Sequence, residues 1–154
     1  MKKVLFLATL LVSVFCFSAC SDDDGGFELG QVEGTWGLTA VSGYFYDEGE
    51  KIPYNETYNP FEPQEDDQKI VITKLEDNKY QMASHIYSNG SWRNFDIENF
   101  SVDGKKIIPE DMSQVDYTDT KFLELTSDKM VIEAKGSDED GEFYQKLTYK
   151  RMAE

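Results

Sequence analysis

From Thr35 onward the chain alternates apolar and polar positions in short runs, each closed by turn residues. Residues 35–46 place Trp36, Leu38 and Ala40 on one face. Residues 69–75 are β-branched and apolar on both faces around Ile70-Val71-Ile72. Tyr80, Met82, Ser84 and Ile86 share a face of the next run, which ends at Asn89-Gly90, a two-residue hairpin signal. Residues 92–102 alternate again. Asp103-Gly104 then turns the chain into residues 105–108, which Pro109 stops. Irregular polar chain follows to about Thr120. Residues 122–125 and 130–134 pair across residues 126–129, residues 136–141 turn once more, and residues 143–151 form the last run. A period of two recurs throughout and no stretch holds a helical period, so the pattern predicts eight strands.

Eight sequential strands joined by short turns, each with one apolar face, predict an all-β, antiparallel, up-and-down barrel. Closure pairs every strand and leaves no edge, and an eight-stranded interior is just wide enough for a small ligand. A two-sheet sandwich needs long crossing connections, and only two stretches here are long enough to supply them.

Before the barrel the chain has a different character. Lys2 and Lys3 precede an almost unbroken apolar run over residues 4–17, in the form of a secretory signal and too short to span a bilayer comfortably. Small Ser18 and Ala19 end it, and Cys20 follows at once. Phe17-Ser18-Ala19-Cys20 resembles the lipobox of bacterial lipoproteins, although Phe17 stands where that motif usually has Leu. The resemblance implies cleavage before Cys20, diacylglycerol on its thiol and an acyl chain on its new amine. Several acyl chains anchor stably where one holds only marginally, so the membrane would be a partner through the lipid on Cys20. Ser21-Asp22-Asp23-Asp24 then resembles the surface-export signal of Bacteroidetes lipoproteins. The expected organisation is a signal peptide over 1–19, a lipidated flexible acidic tether over 20–31 and a barrel domain over 32–154. The expected location is the outer membrane, facing outward.

Composition narrows the partners. Loss of residues 1–19 would leave 135 of the 154 residues, one domain by length. The formal charge of −15 would become −17 as Lys2 and Lys3 leave. Such a field repels polyanions, so nucleic acid is not an expected partner. Cys16 would leave and Cys20 would carry lipid, so no disulfide is expected and stability must come from the core.

Gly34-Thr35-Trp36 at the start of the first strand resembles the G-x-W motif of lipocalins, and Tyr149-Lys150-Arg151 ends the last strand where lipocalins place an arginine across that tryptophan. The alternation of Leu147, Tyr149 and Arg151 puts Arg151 on the inward face, so a cation–π contact of Arg151 with Trp36 is expected to close the barrel floor. With the repeated short hairpins, the resemblance to the lipocalin-like domains of Bacteroidetes lipoproteins spans residues 32–152.

The stretch 47–68 is long for a connection. It carries eight acids against Lys51 alone, and Tyr54, Tyr58 and Phe61 lie among them, just after Tyr44 and Tyr46. In lipocalins the loop after the first strand covers the open mouth. By that resemblance these five rings are candidates to meet a ligand there. Plugging the mouth is the alternative role, and a polyanionic surface for a basic protein a third.

Candidate chemistry is sparse. His85 is the sole histidine and is expected off the inward face, so no His-based metal site or Cys-His pair is available. Asp138, Asp140 and Glu142 around Gly141 miss the EF-hand spacing. No phosphate loop or nucleophile elbow is present. No cofactor, no metal and no enzymatic activity are expected. Two functions stay open: a tethered barrel that binds a small apolar or sugar-like ligand at its mouth, or a filled barrel that engages an envelope protein through its acidic loop as an interaction or inhibitor module. A ligand-sized void, about 300 Å³ or more, favours the first.

Overall fold

The computed structural model describes residues 27–110, 117–137 and 141–153. Cys20, Ser21, Asp22, Asp23, Asp24, Asp138 and Asp140 lie outside them. A 3-10 turn (Leu29–Gln31) leads into β1 (Gly34–Asp47), β2 (Glu50–Thr57), β3 (Gln68–Glu76), β4 (Lys79–Ser88), β5 (Ser91–Asp103), β6 (Lys106–Pro109), β7 (Tyr117–Leu125), β8 (Lys129–Ser137) and β9 (Glu142–Arg151). Among the described residues no helix is long and apolar enough to cross a membrane.

Neighbouring strands are antiparallel throughout. β1 pairs with β9 from Trp36↔Arg151 to Tyr44↔Tyr144, which closes the sheet. On its other flank β1 pairs with β3 over Gly34 to Gly37 and with β2 over Ala40 to Asp47. The closed barrel is therefore eight strands, β1 and β3 to β9, as the alternation predicts. β2 is a ninth strand, laid along the half of β1 that β3 leaves free.

That ninth strand lies inside the stretch expected as a loop. Its turn places Glu48 at φ 50° and Gly49 at φ 82°, the left-handed pair that a two-residue hairpin requires. Asn or Asp usually fills the first of these positions, and Glu hides the turn. Asn89 (φ 52°) and Gly90 (φ 77°) form the expected β4–β5 turn. The β5–β6 turn falls one residue late, on Gly104-Lys105, because Asp103 pairs with Lys106. β7 begins at Tyr117, where Thr118 and Thr120 supply β-branched residues that an apolar count passes over.

A bulge in β1 has the largest consequence. The register against β9 shifts between Leu38 and Ala40, and the Thr39 hydroxyl donates to the Thr148 carbonyl at 3.0 Å. An extra residue inverts the faces beyond it. Trp36 and Leu38 face inward, but Val41, Gly43 and Phe45 continue that face, while Ala40 passes to the outside.

The core is densest at the lower end. Trp36, Phe122, Leu125 and Met130 are fully buried there, with Ile70, Ile72 and Tyr80 around them. The entering chain caps this end. Phe27 packs on Phe122 with ring centroids 5.8 Å apart, and the Glu28 amide donates to the Leu125 carbonyl at 2.8 Å. Docking thus begins by Phe27, and residues 27–31 of the stretch expected as a tether over 20–31 pack on the barrel: Phe27 and Leu29 gain apolar partners by leaving water.

Candidate functional site: the barrel interior

Trp36 and Arg151 stand opposite each other across the closing seam. The guanidinium carbon lies 4.1 Å from the indole centroid. Arg151 also donates from Nε to the Ser127 carbonyl at 2.5 Å, from Nη1 to the Glu33 carbonyl at 2.7 Å and from Nη2 to the Gln31 carbonyl. The indole N–H donates to the Val32 carbonyl at 2.9 Å. One planar cation therefore ties the entering chain, the β7–β8 turn and the last strand together over a buried ring. Gly34 is needed beside it: at φ +124° it is strained for any side chain, and a Cβ would collide with Nη1.

Above this floor the barrel is not filled. A cavity of about 290 Å³ is lined by Ile72, Met82, Phe100, Phe122, Ile132 and Leu147, with Glu98 and Thr120 among the polar positions. A second space of about 430 Å³ lies at the mouth between Leu38, Val41, Phe45 on β1 and Tyr54, Glu56, Tyr58 on and after β2. Leu147 borders both, so mouth and interior meet at one side chain.

The five rings expected at the mouth divide two ways. Tyr54 and Tyr58 line it. Tyr58 donates to Glu56 Oε2, and burial together with that carboxylate pushes its hydroxyl pKa up to about 12. Tyr44 and Tyr46 lie on the outer wall, because the bulge at Thr39 turns them out. Tyr44 stacks on Tyr144 at 6.0 Å, with Lys51 Nζ 3.5 Å from its ring centre, and meets Tyr46 edge-on at 6.3 Å. Phe61 is also outside, half exposed beneath Lys150, since buried Pro60 packs over Gly37 on the outer face of β1.

Phe45, Val41, Glu56 and Glu98 enter the site unanticipated. The first three depend on the bulge and on β2. Glu98 was accessible by counting back in twos from Phe100 and Val102, but Phe95 and Ile97 on the other face look more like a core.

His85 is half-buried in β4, its Nδ1 3.1 Å from the Ala83 carbonyl. Among the described residues no three His, Cys, Asp or Glu side chains converge as metal ligands would.

An eight-stranded antiparallel barrel, closed at its floor by a tryptophan under an arginine and hollow above it, has the lipocalin fold. Among solved structures the chain is similar to the siderocalin Ex-FABP, described as functioning through dual ligand specificities, at TM-score 0.53 and 16% identity over 80% of this chain and 76% of that one. It is also similar to a lipocalin whose expression is activated in cell transformation by the myc oncogene, at TM-score 0.51 and 11% identity over 83% and 74%. No protein-family model matches the sequence, and no curated protein does.

Proposed function

We propose that this chain is a membrane-anchored binding protein that takes a small molecule with an apolar body into the barrel. The observation that carries the reading is the apolar cavity of about 290 Å³, which shares Leu147 with the larger space at the mouth. Together they reach the range of small-molecule sites, about 300–1,000 Å³. A filled barrel working only through its loops has no need of such a void. An apolar body gains by leaving water against Ile72, Phe100 and Leu147, and the polar groups of Tyr54, Glu56, Tyr58 and Gln145 line the mouth through which it enters. The anchor is part of the proposal: Ser18-Ala19-Cys20 supports lipidation, and Ser21-Asp22-Asp23-Asp24 supports placement on the outer face of the outer membrane.

Binding of the fluorescent apolar probe N-phenyl-1-naphthylamine tests the cavity. The protein should enhance its emission saturably, and Ala134→Phe, which fills the interior from β8, should abolish the effect while the protein stays folded. Unchanged binding by a folded Ala134→Phe protein would place the probe elsewhere and remove the support for an interior site. Mass spectrometry of gently purified protein should find a co-purifying small molecule.

A further inference from the structure

Strand β5 carries its upper half the wrong way round for a barrel. Phe100 and Val102 face the core, and alternation carries the same face to Glu98 and Asp96. Phe95 and Ile97 consequently point outward, each 57% exposed. A one-residue shift confined to the part of β5 before Phe100 would bury the two apolar side chains and release the acids to water, but the β4 pairing runs unbroken from Lys79↔Ser101 to Ser84↔Asp96 and shifts only beyond it, at Phe95. Both halves of this arrangement cost stability. Local departures of this kind are expected where a strand serves a site.

Glu98 lines the apolar cavity, and among the described residues that line it no other carboxylate and no Lys, Arg or His is present. Its carboxyl has no hydrogen bond or ion pair among the described residues. Burial pushes its pKa up, and the neighbouring charge of Asp96 adds to this. Glu98 is only partly buried, and a carboxylate without a counter-charge at the edge of an apolar space can take one from the occupant. The approach favours the same sign. Glu56 stands at the mouth, and the chain carries a formal charge of −15, which draws cations and repels anions.

We infer that the occupant of the barrel is a cationic amphiphile, an aliphatic or aromatic amine whose protonated nitrogen pairs with Glu98 while its apolar body fills the cavity lined by Ile72, Phe100 and Leu147. This rests on the reading of the barrel as a small-molecule site and adds the ligand's chemical class. Fatty acids of the same length are disfavoured, because their carboxylate meets Glu56 on the way in and Glu98 at the end.

Three probes of one chain length separate the possibilities: octylamine, octanol and octanoate, titrated calorimetrically at pH 7. Octylamine should bind about tenfold more tightly than octanol, the worth of a charge-assisted hydrogen bond in a partly desolvated site, and octanoate should bind weakest. Glu98→Gln keeps the side-chain volume and should bring octylamine to within about twofold of octanol. Glu56→Gln should leave the amine preference in place. Octanol or octanoate bound as well as octylamine, or a preference that survives Glu98→Gln or disappears with Glu56→Gln, would overturn the inference while leaving an interior apolar site standing. Binding of none of the three by protein that also fails to bind the fluorescent probe would overturn both readings.

Discussion

Two carboxyls show how neighbouring positions on one barrel wall or another set opposite pH behaviour. Glu98 is raised above its unfolded value of about 4.3. Its ionised form is the disfavoured one, so the cost is absent below the unfolded value, grows as pH rises through the folded value and is complete above it. Glu98→Gln should therefore be more stable than the parent at pH 7 and equal to it near pH ~3, as urea unfolding at both pH values will show. Glu133 behaves in the reverse sense. Burial alone would raise it, but Lys135 and Lys121, each 3.1 Å away, outweigh burial and hold it below the usual range. Its stabilising effect is present above the unfolded value and is lost as pH falls through the folded one. Glu133→Gln should cost stability at pH 7, under about 1 kcal/mol for so solvated a network, and nothing at low pH. At the floor, Trp36→Ala should cost about 3–5 kcal/mol. Arg151→Ala should cost about 1–2 kcal/mol, and since the guanidinium lies on the indole the double mutant should fall short of the sum. Additive losses in chemical denaturation would mean that the contact itself contributes nothing.

At the scale of the element, the β1–β2 hairpin and the bulge before it decide which aromatics serve the mouth. Glu48 sits at φ 50°, where Asn is more at ease. Glu48→Asn should raise the thermal midpoint by a degree or more, from a gain of about 0.5 kcal/mol. Phe45 faces Tyr54 at 6.1 Å on the mouth side, whereas Tyr44 faces away. Phe45→Ser should weaken uptake of the apolar probe about threefold to tenfold, since a half-exposed ring contributes only part of the free energy of full burial. Tyr44→Ser should leave probe affinity unchanged and lower stability through loss of the Tyr144 and Lys51 contacts. Equal effects of the two substitutions on affinity would contradict the facing that the bulge imposes.

The whole molecule joins a hollow barrel to a chain of net negative charge and a leader that resembles a lipoprotein signal. Association of a cationic ligand should slow as ionic strength rises, because salt at about 0.15 M screens beyond about 8 Å; stopped-flow rates at two salt concentrations measure this. For the anchor, Cys20→Ala should abolish incorporation of radioactive fatty acid. Replacing Asp22, Asp23 and Asp24 by Ala should protect the protein from protease added to intact cells without altering its unfolding curve. Equal shaving of both forms would reduce the acidic run to a tether.

The eight strands of the barrel and their closure followed from local pattern, since a period of two and turn residues act over a few positions and eight such runs have few ways to satisfy their edges. Trp36 and Arg151 were also legible: each lies within three residues of a strand end, before or after any irregularity that could change its face. The mouth was not. One extra residue at Thr39 inverts Tyr44, Phe45 and Tyr46, and nothing in residues 35–46 announces it, because the bulge is held by β9 through the Thr148 carbonyl. β2 escaped for a related reason, as an acidic strand with Glu in its turn is stabilised by pairing with β1 rather than by its own sequence. The inward acid of β5 follows the same logic. Propensity and hydrophobicity would have turned Phe95 and Ile97 inward, and only the register against β4, set from Tyr80↔Phe100 upward, places Glu98 inside the barrel.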